Sequence, residues 1–173
     1  METTLILFSG LAGTGKTTLA QLLCSRLQIP MVSFDYLLDF GLPRHLWSVE
    51  EITEDDLWHI LFNFAELQLS LSISVVMDAV FMGSGRDAAG ELVKRYHARF
   101  RPIHTFCSDE SIWRDRVIRR IQTALPNETP ATWEGILSER NNYRLWQPED
   151  ALFVDACRSI DENLDKVLQY IQS

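Results

Sequence analysis

The chain alternates short apolar runs with longer stretches in which apolar residues recur every three or four positions. The first run, TLILF at residues 4–8, is bounded by Ser9 and Gly10, the pattern of a strand buried on both faces. From Thr17, Leu19, Leu22, Leu23 and Leu27 follow at helical spacing until Pro30 stops the segment. MVSF at 31–34 predicts a second short strand. DYLLDFGLPR after it reads as a turn or half-formed helix ending at Gly41 to Pro43. Thr53 and Asp56 can cap a long helix with Leu57, Ile60, Leu61, Phe64 and Leu71 on one face. Trp58, Phe62, Ala65 and Leu69 make its other side apolar too, so burial all round is expected.

ISVVM at 73–77 predicts the third strand and runs into Asp78. An amphipathic, basic helix over 85–99 and a strand PIHTFC at 102–107 come next. Asp109 then opens a helix through Ile112, Trp113, Val117 and Ile121, with Arg114, Arg116, Arg119 and Arg120 along it. The polar stretch TALPNETPAT at 123–132 interrupts the chain. A short helix at 133–142, a strand ALFVD at 151–155 and a closing helix at 161–172 complete the pattern. Strands separated by helices predict one α/β domain spanning residues 1–173, a parallel sheet between two helical layers.

Composition narrows the function. At 173 residues and 46% hydrophobic, the chain can bury one substantial core but hardly two. Its formal charge of -8 disfavours broad affinity for nucleic acid, which rests on many cations facing phosphates. Cys24, Cys107 and Cys157 are odd in number, far apart and lack CxxC spacing, so neither a disulfide framework nor a zinc site is expected. METTLILFSG fits neither a signal peptide nor a membrane span. A cytoplasmic location follows as the expectation.

The strongest chemical signal is FSGLAGTGKTTLA at 8–20, in which Gly10 to Thr17 match G-x-x-x-x-G-K-[ST] between a buried strand and a helix. Glycines without Cβ let a loop wrap an oxygen cluster with its amides inward, and the helix amino end adds a partial positive charge. Gly10, Ala12, Gly13, Thr14, Gly15, Lys16, Thr17 and Thr18 are therefore expected to cradle nucleotide phosphates. Lys16 would meet the β and γ phosphates, and Thr17 would offer its hydroxyl to Mg²⁺. No Asn-Lys-x-Asp stretch is present to read guanine, and the chain is short for a motor or remodelling ATPase. A compact kinase is the strongest remaining class.

Phosphoryl transfer to a hydroxyl needs a base and offsetting cations. Ligands of open α/β sheets bind beyond the strands' carboxyl ends, where Asp35 and Asp78 both fall. Asp78 is the expected metal-side carboxylate. Arg116 and Arg120, four residues apart, project from one side of their helix and could close over the phosphates. Arg44 and Arg86 read as surface charge or as acceptor contacts. The four histidines show no ligand spacing.

FSGLAGTGKTTLA, VSFD at 32–35, VVMDAVF at 75–81 and RVIRR at 116–120 together resemble the small P-loop kinases of the polynucleotide-kinase-like and zeta-toxin-like group, which includes chloramphenicol phosphotransferase and gluconate kinase. The resemblance implies a P-loop NTPase fold with sheet order 2-3-1-4-5, ATP as nucleotide, Asp35 as base, and Arg116 and Arg120 on a lid spanning 109–132. It also sets DACRS at 155–159 beside the adenine. The acceptor site is not carried over. The expected activity is transfer of the ATP γ-phosphoryl group to a small-molecule hydroxyl. A polynucleotide 5′-hydroxyl kinase and a regulatory NTPase without an acceptor are the alternatives.

Overall fold

The computed structural model describes residues 2–39, 53–124 and 131–173, with the side chain of Asp39 left out. Phe40, Gly41 to Pro43, Arg44 and residues 125–130, on which expectations rest, lie outside the described residues. Five strands, β1 (Thr4–Ser9), β2 (Met31–Ser33), β3 (Val75–Asp78), β4 (Arg99–Phe106) and β5 (Leu152–Asp155), form one parallel sheet ordered β2-β3-β1-β4-β5. This is the expected order. Seven helices accompany them among the described residues: α1 (Lys16–Leu27), α2 (Phe34–Asp39), α3 (Glu54–Ser70), α4 (Gly83–Arg95), α5 (Glu110–Thr123), α6 (Trp133–Asn142) and α7 (Ile160–Gln172).

Strand alternation divides the core. Leu5 and Leu7 of β1 point to one face, where Leu61, Ala65 and Leu69 of α3 and Ala89, Leu92 and Val93 of α4 cover them. Ile6 and Phe8 point to the other, against Leu19, Ala20 and Leu23 of α1 and Val167 and Ile171 of α7. Each such fully buried Leu or Phe contributes about 2 kcal/mol. A third cluster joins Leu11 of the glycine loop to Trp113 and Val117 of α5, and to Trp133 and Ile136 of α6. That cluster anchors the helices over the site.

Several expectations are corrected. Of the turn or half-formed helix expected after β2, the described part is helix: α2 (Phe34–Asp39) continues directly from β2 (Met31–Ser33). Helix α3 has the foreseen Thr53 and Asp56 capping box but is not buried all round: Leu57 and Leu61 are buried, while Ile60, Leu67 and Leu71 face outward. Strand β4 starts at Arg99 instead of residue 102, since Thr4 pairs with Arg99 and Leu7 with Pro102. Its Arg101 lies over the Tyr170 ring at 5.2 Å, which shelters the arginine stem. Among the described residues no helix is long and apolar enough to cross a membrane.

Candidate active site

The glycine loop leaves β1 at Gly10 and enters α1 at Lys16. A Cβ on Gly10 would stand 2.4 Å from the Thr105 carbonyl oxygen, so only glycine lets the loop pass against β4. Gly13 has φ +79°, and a Cβ there would lie 2.7 Å from Val117 Cγ2. The loop is therefore pressed between the sheet and α5. Thr14 Oγ1 donates to the Leu11 carbonyl at 2.7 Å and sits 2.8 Å from Thr105 Oγ1, which fixes the turn from both sides. Trp113 Nε1 donates to the Ala12 carbonyl at 2.8 Å. One side chain of α5 thus holds the loop's outward carbonyl.

Above the loop opens a cavity of about 680 Å³, lined by Gly13 to Thr18 of the loop and by Asp35, Arg116 and Arg120. Val154, Ala156, Arg158 and Asn163 form its wall at the end of β5 and the start of α7. Gly10 and Ala12 do not line it; they shape the loop from behind. Lys16 is only 4% exposed although it borders the cavity, so its aliphatic stem is packed and its ammonium is confined to this space.

Beneath the loop, Asp78 ends β3 and is 1% exposed. Its Oδ2 accepts from Thr17 Oγ1 at 2.7 Å and from Ser33 Oγ at 2.9 Å. Its Oδ1 is buried and has no hydrogen-bond partner among the described residues. Burial raises the Asp78 carboxyl above the usual range, although Lys16 and the two hydroxyls pull it down. An unsatisfied buried carboxylate oxygen beside a loop hydroxyl is a hard-oxygen donor set, which fits Mg²⁺. Ser33 was not foreseen; a serine at a strand end carries no sequence signal for this bond.

Asp35 lies in the first turn of α2 with its Oδ2 at 3.5 Å from Arg120 Nη2 across the cavity mouth. Both are partly exposed, so the ion pair is weak and separable. Arg116 Nη2 donates to the Ala156 carbonyl at 3.0 Å. The two arginines thus face the cavity but are engaged with protein groups. Glu139 of α6 was also not foreseen. Burial raises its carboxyl; Lys16 pulls it back, while Asp35 and Glu54 add to the rise. Only the folded arrangement of α6 brings it within reach of those charges.

Arg86 contradicts the surface reading. It is 8% exposed, its Nε donates to the Phe81 carbonyl at 2.9 Å, and its guanidinium lies over Tyr143 and Trp146. Close by, burial lowers the pKa of His104 to about 4, so this ring is neutral. All three cysteines are free thiols, and Cys107 and Cys157, fifty residues apart, stand with their sulfurs 2.8 Å from each other.

The AAA domain family matches residues 5–144. No curated protein matches the sequence. Among solved structures, a putative kinase from Chloroflexus aurantiacus J-10-fl superposes with a TM-score of 0.74 at 23% identity, covering 99% of this chain and 98% of that one. Kti12 from Chaetomium thermophilum, in complex with ADP-AlF3, gives 0.74 at 17% identity over 96% and 98%. The APS kinase CysC of Mycobacterium tuberculosis, in complex with AMPPNP and APS, gives 0.65 at 18% over 99% of each. At these identities the likeness is one of fold.

Proposed function

The chain belongs to the AAA domain family, and from that footing we propose that it is a cytoplasmic ATP-dependent kinase that phosphorylates a hydroxyl of a small molecule. Within the family it is assigned to the small P-loop kinases resembling the polynucleotide-kinase-like and zeta-toxin-like group. The observation that carries the reading is a single cavity bordered by a phosphate-loop lysine, a carboxylate and two arginines. An NTP pocket alone needs no carboxylate at its far side. Transfer to an alcohol does. Nucleotide complexes of Kti12 and the APS kinase support the choice of nucleotide site.

In this reading, the loop amides and Lys16 hold the phosphate oxygens and neutralise charge that grows during transfer. The wall at Ala156 and Arg158 borders the adenine. Thr17 and Asp78 would hold Mg²⁺, which would supply positive charge to offset that of the phosphates. Asp35 orients the acceptor hydroxyl and takes its proton as the oxygen attacks the γ-phosphorus. Arg116 and Arg120 turn from the Ala156 carbonyl and Asp35 toward the phosphates. That exchange frees Asp35 for the acceptor at the moment the cations reach the transferred group. Closing the α5 side also excludes water, which would otherwise take the phosphoryl group.

The acceptor is of modest charge, because the chain is acidic and the cavity's acceptor side presents Asp35 and Tyr36 instead of a row of cations. A screen of γ-phosphoryl transfer over a metabolite and antibiotic library, read by mass shift, tests the proposal. A phosphorylated product that depends on Lys16 is the expected result. Labelling of DNA or RNA 5′ ends, with salt-sensitive binding, would replace it with the polynucleotide alternative. ATP hydrolysis that no compound accelerates would favour a regulatory NTPase.

A further inference from the structure

We propose that Cys107 and Cys157 are a redox-sensitive thiol pair whose disulfide locks the base of α5 and turns down the nucleotide site. The effect on nucleotide rests on the functional reading above; the pair itself does not. Cys107 follows β4 and Cys157 follows β5, adjacent parallel strands in which Phe106 pairs with Asp155. Their sulfurs are 2.8 Å apart and both residues are partly exposed. The two loops are already held together: Ala156 N donates to the Phe106 carbonyl at 2.7 Å, and Ser108 N and Oγ donate to the Asp155 carboxylate. The pair therefore needs little backbone movement to join.

The place of the bond gives it a consequence. Cys107 Sγ donates to the Asp109 carbonyl at 3.3 Å, and Asp109 caps α5, the helix that carries Arg116 and Arg120. On the other loop, Ala156 is the residue whose carbonyl occupies Arg116. A bond between the cysteines fixes the start of α5 to that loop, in the arrangement where Arg116 serves Ala156 and Arg120 serves Asp35. The oxidised protein would thus hold both cations away from the phosphates. Reduction would release α5.

A metal at these residues is disfavoured on geometry. The Cys107, Asp155 and Cys157 ligand atoms lie within 4.8 Å of one another, yet two thiolates on a tetrahedral zinc stand about 3.8 Å apart at a Zn–S length of roughly 2.3 Å. The sulfurs here are closer than that. Both oxygens of Asp155 are already occupied by Ser108 and Cys157 N–H or O–H donors. Cys24 is excluded from the pair by its burial among the side chains of α1 and α7, which pushes its thiol up to about 11.

The reaction is thiol–disulfide exchange with a small disulfide such as oxidised glutathione. One cysteine thiolate attacks a glutathione sulfur, forming a mixed disulfide and expelling one glutathione thiolate, which takes up a proton. The second cysteine thiolate then attacks the protein sulfur of that mixed disulfide and expels the other glutathione. The protein loses two electrons and two protons; the small disulfide gains them as two thiols. Burial and the contact with Cys157 push the Cys107 thiol up to about 11, so exchange should quicken as pH rises.

The test uses the reduced whole protein, equilibrated with oxidised glutathione. Non-reducing peptide mapping reads the bond, hydrogen exchange over residues 110–123 reads α5, and titration with a fluorescent ATP analogue reads the site. The expected result is a linked Cys107 and Cys157 peptide pair with Cys24 free, slower exchange in α5, and affinity for the analogue reduced about tenfold, all reversed by dithiothreitol. Cys107→Ser should bind as the reduced parent does, before and after oxidant. A stable mixed disulfide on one thiol, no reaction, or tight zinc with unreactive thiols would overturn the pair. A linked pair with unchanged α5 exchange or unchanged affinity would overturn the lock. Failure of the reduced parent to bind the analogue would instead refute the nucleotide reading, while mapping and exchange still decide the thiol pair and its grip on α5.

Discussion

At the scale of single residues, Asp78 shows the conflict between stability and chemistry most plainly. Its carboxyl is raised by burial, so the folded pKa lies above the unfolded one. The sign follows: protonated Asp78 favours the fold, and that contribution is lost as pH rises through the folded pKa. At neutral pH, where the unfolded carboxyl is ionised, burying this group costs stability. Asp78→Asn keeps an acceptor oxygen for Thr17 and Ser33 and removes the charge. We predict a higher melting temperature for the ligand-free variant at pH 7, a gain that vanishes toward pH ~4, where the unfolded carboxylate titrates. The same variant should lose the extra stabilisation that Mg²⁺ adds to bound ATP; calorimetric melts with and without Mg²⁺ check both. For Asp35, the Asn variant should bind Mg·ATP within about twofold of the parent yet transfer at least ~100-fold more slowly, because an amide cannot take the proton. Single-turnover rates beside calorimetric affinity decide this.

At the scale of elements, α5 is the part whose position matters. Trp113 grips the loop at Ala12, and Val117 abuts Gly13. Gly13→Ala must strain a backbone at φ +79° and push on Val117. A cost of about 1 to 3 kcal/mol is expected, with faster hydrogen exchange in α5 than in α7. Equal exchange in both helices would mean that the loop and α5 are not coupled. In the parent, a nonhydrolysable ATP analogue should slow exchange over 110–123. The sequence revealed α5 and its Asp109 cap because short-range spacing and an Asx cap are local signals. It did not reveal that Arg86 is buried, since shelter between Tyr143 and Trp146 depends on residues nearly sixty positions away. Strand β4 was shortened at its start for a related reason: Arg99 and Arg101 look like solvent-facing residues until β1 and α7 pack beside them.

At the scale of the whole molecule, the order of the sheet brings separate segments to one end. β1, β3 and β4 lie side by side, so the loop after β1, Asp78 at the end of β3 and α5 after β4 converge without long connections. That Lys16, Asp35, Arg116 and Arg120 come to one end of the sheet, where they line one cavity, is readable because each stands past a strand or on a regular helix face. Ser33, Trp113 and Glu139 are not readable in this way: the loop and carboxylate contacts of Ser33 and Trp113, and the charges felt by Glu139, exist only after the layers assemble. A kinase is distinguished from a nucleotide-binding protein by transfer. Phosphorus NMR of the protein with Mg·ATP and a nucleic-acid-free small-molecule extract tests it most directly. The expected result is a γ-phosphate signal replaced by a phosphomonoester resonance in the parent and persisting with folded Lys16→Ala. Inorganic phosphate as the sole product, or an unchanged ester signal with Lys16→Ala, would contradict it.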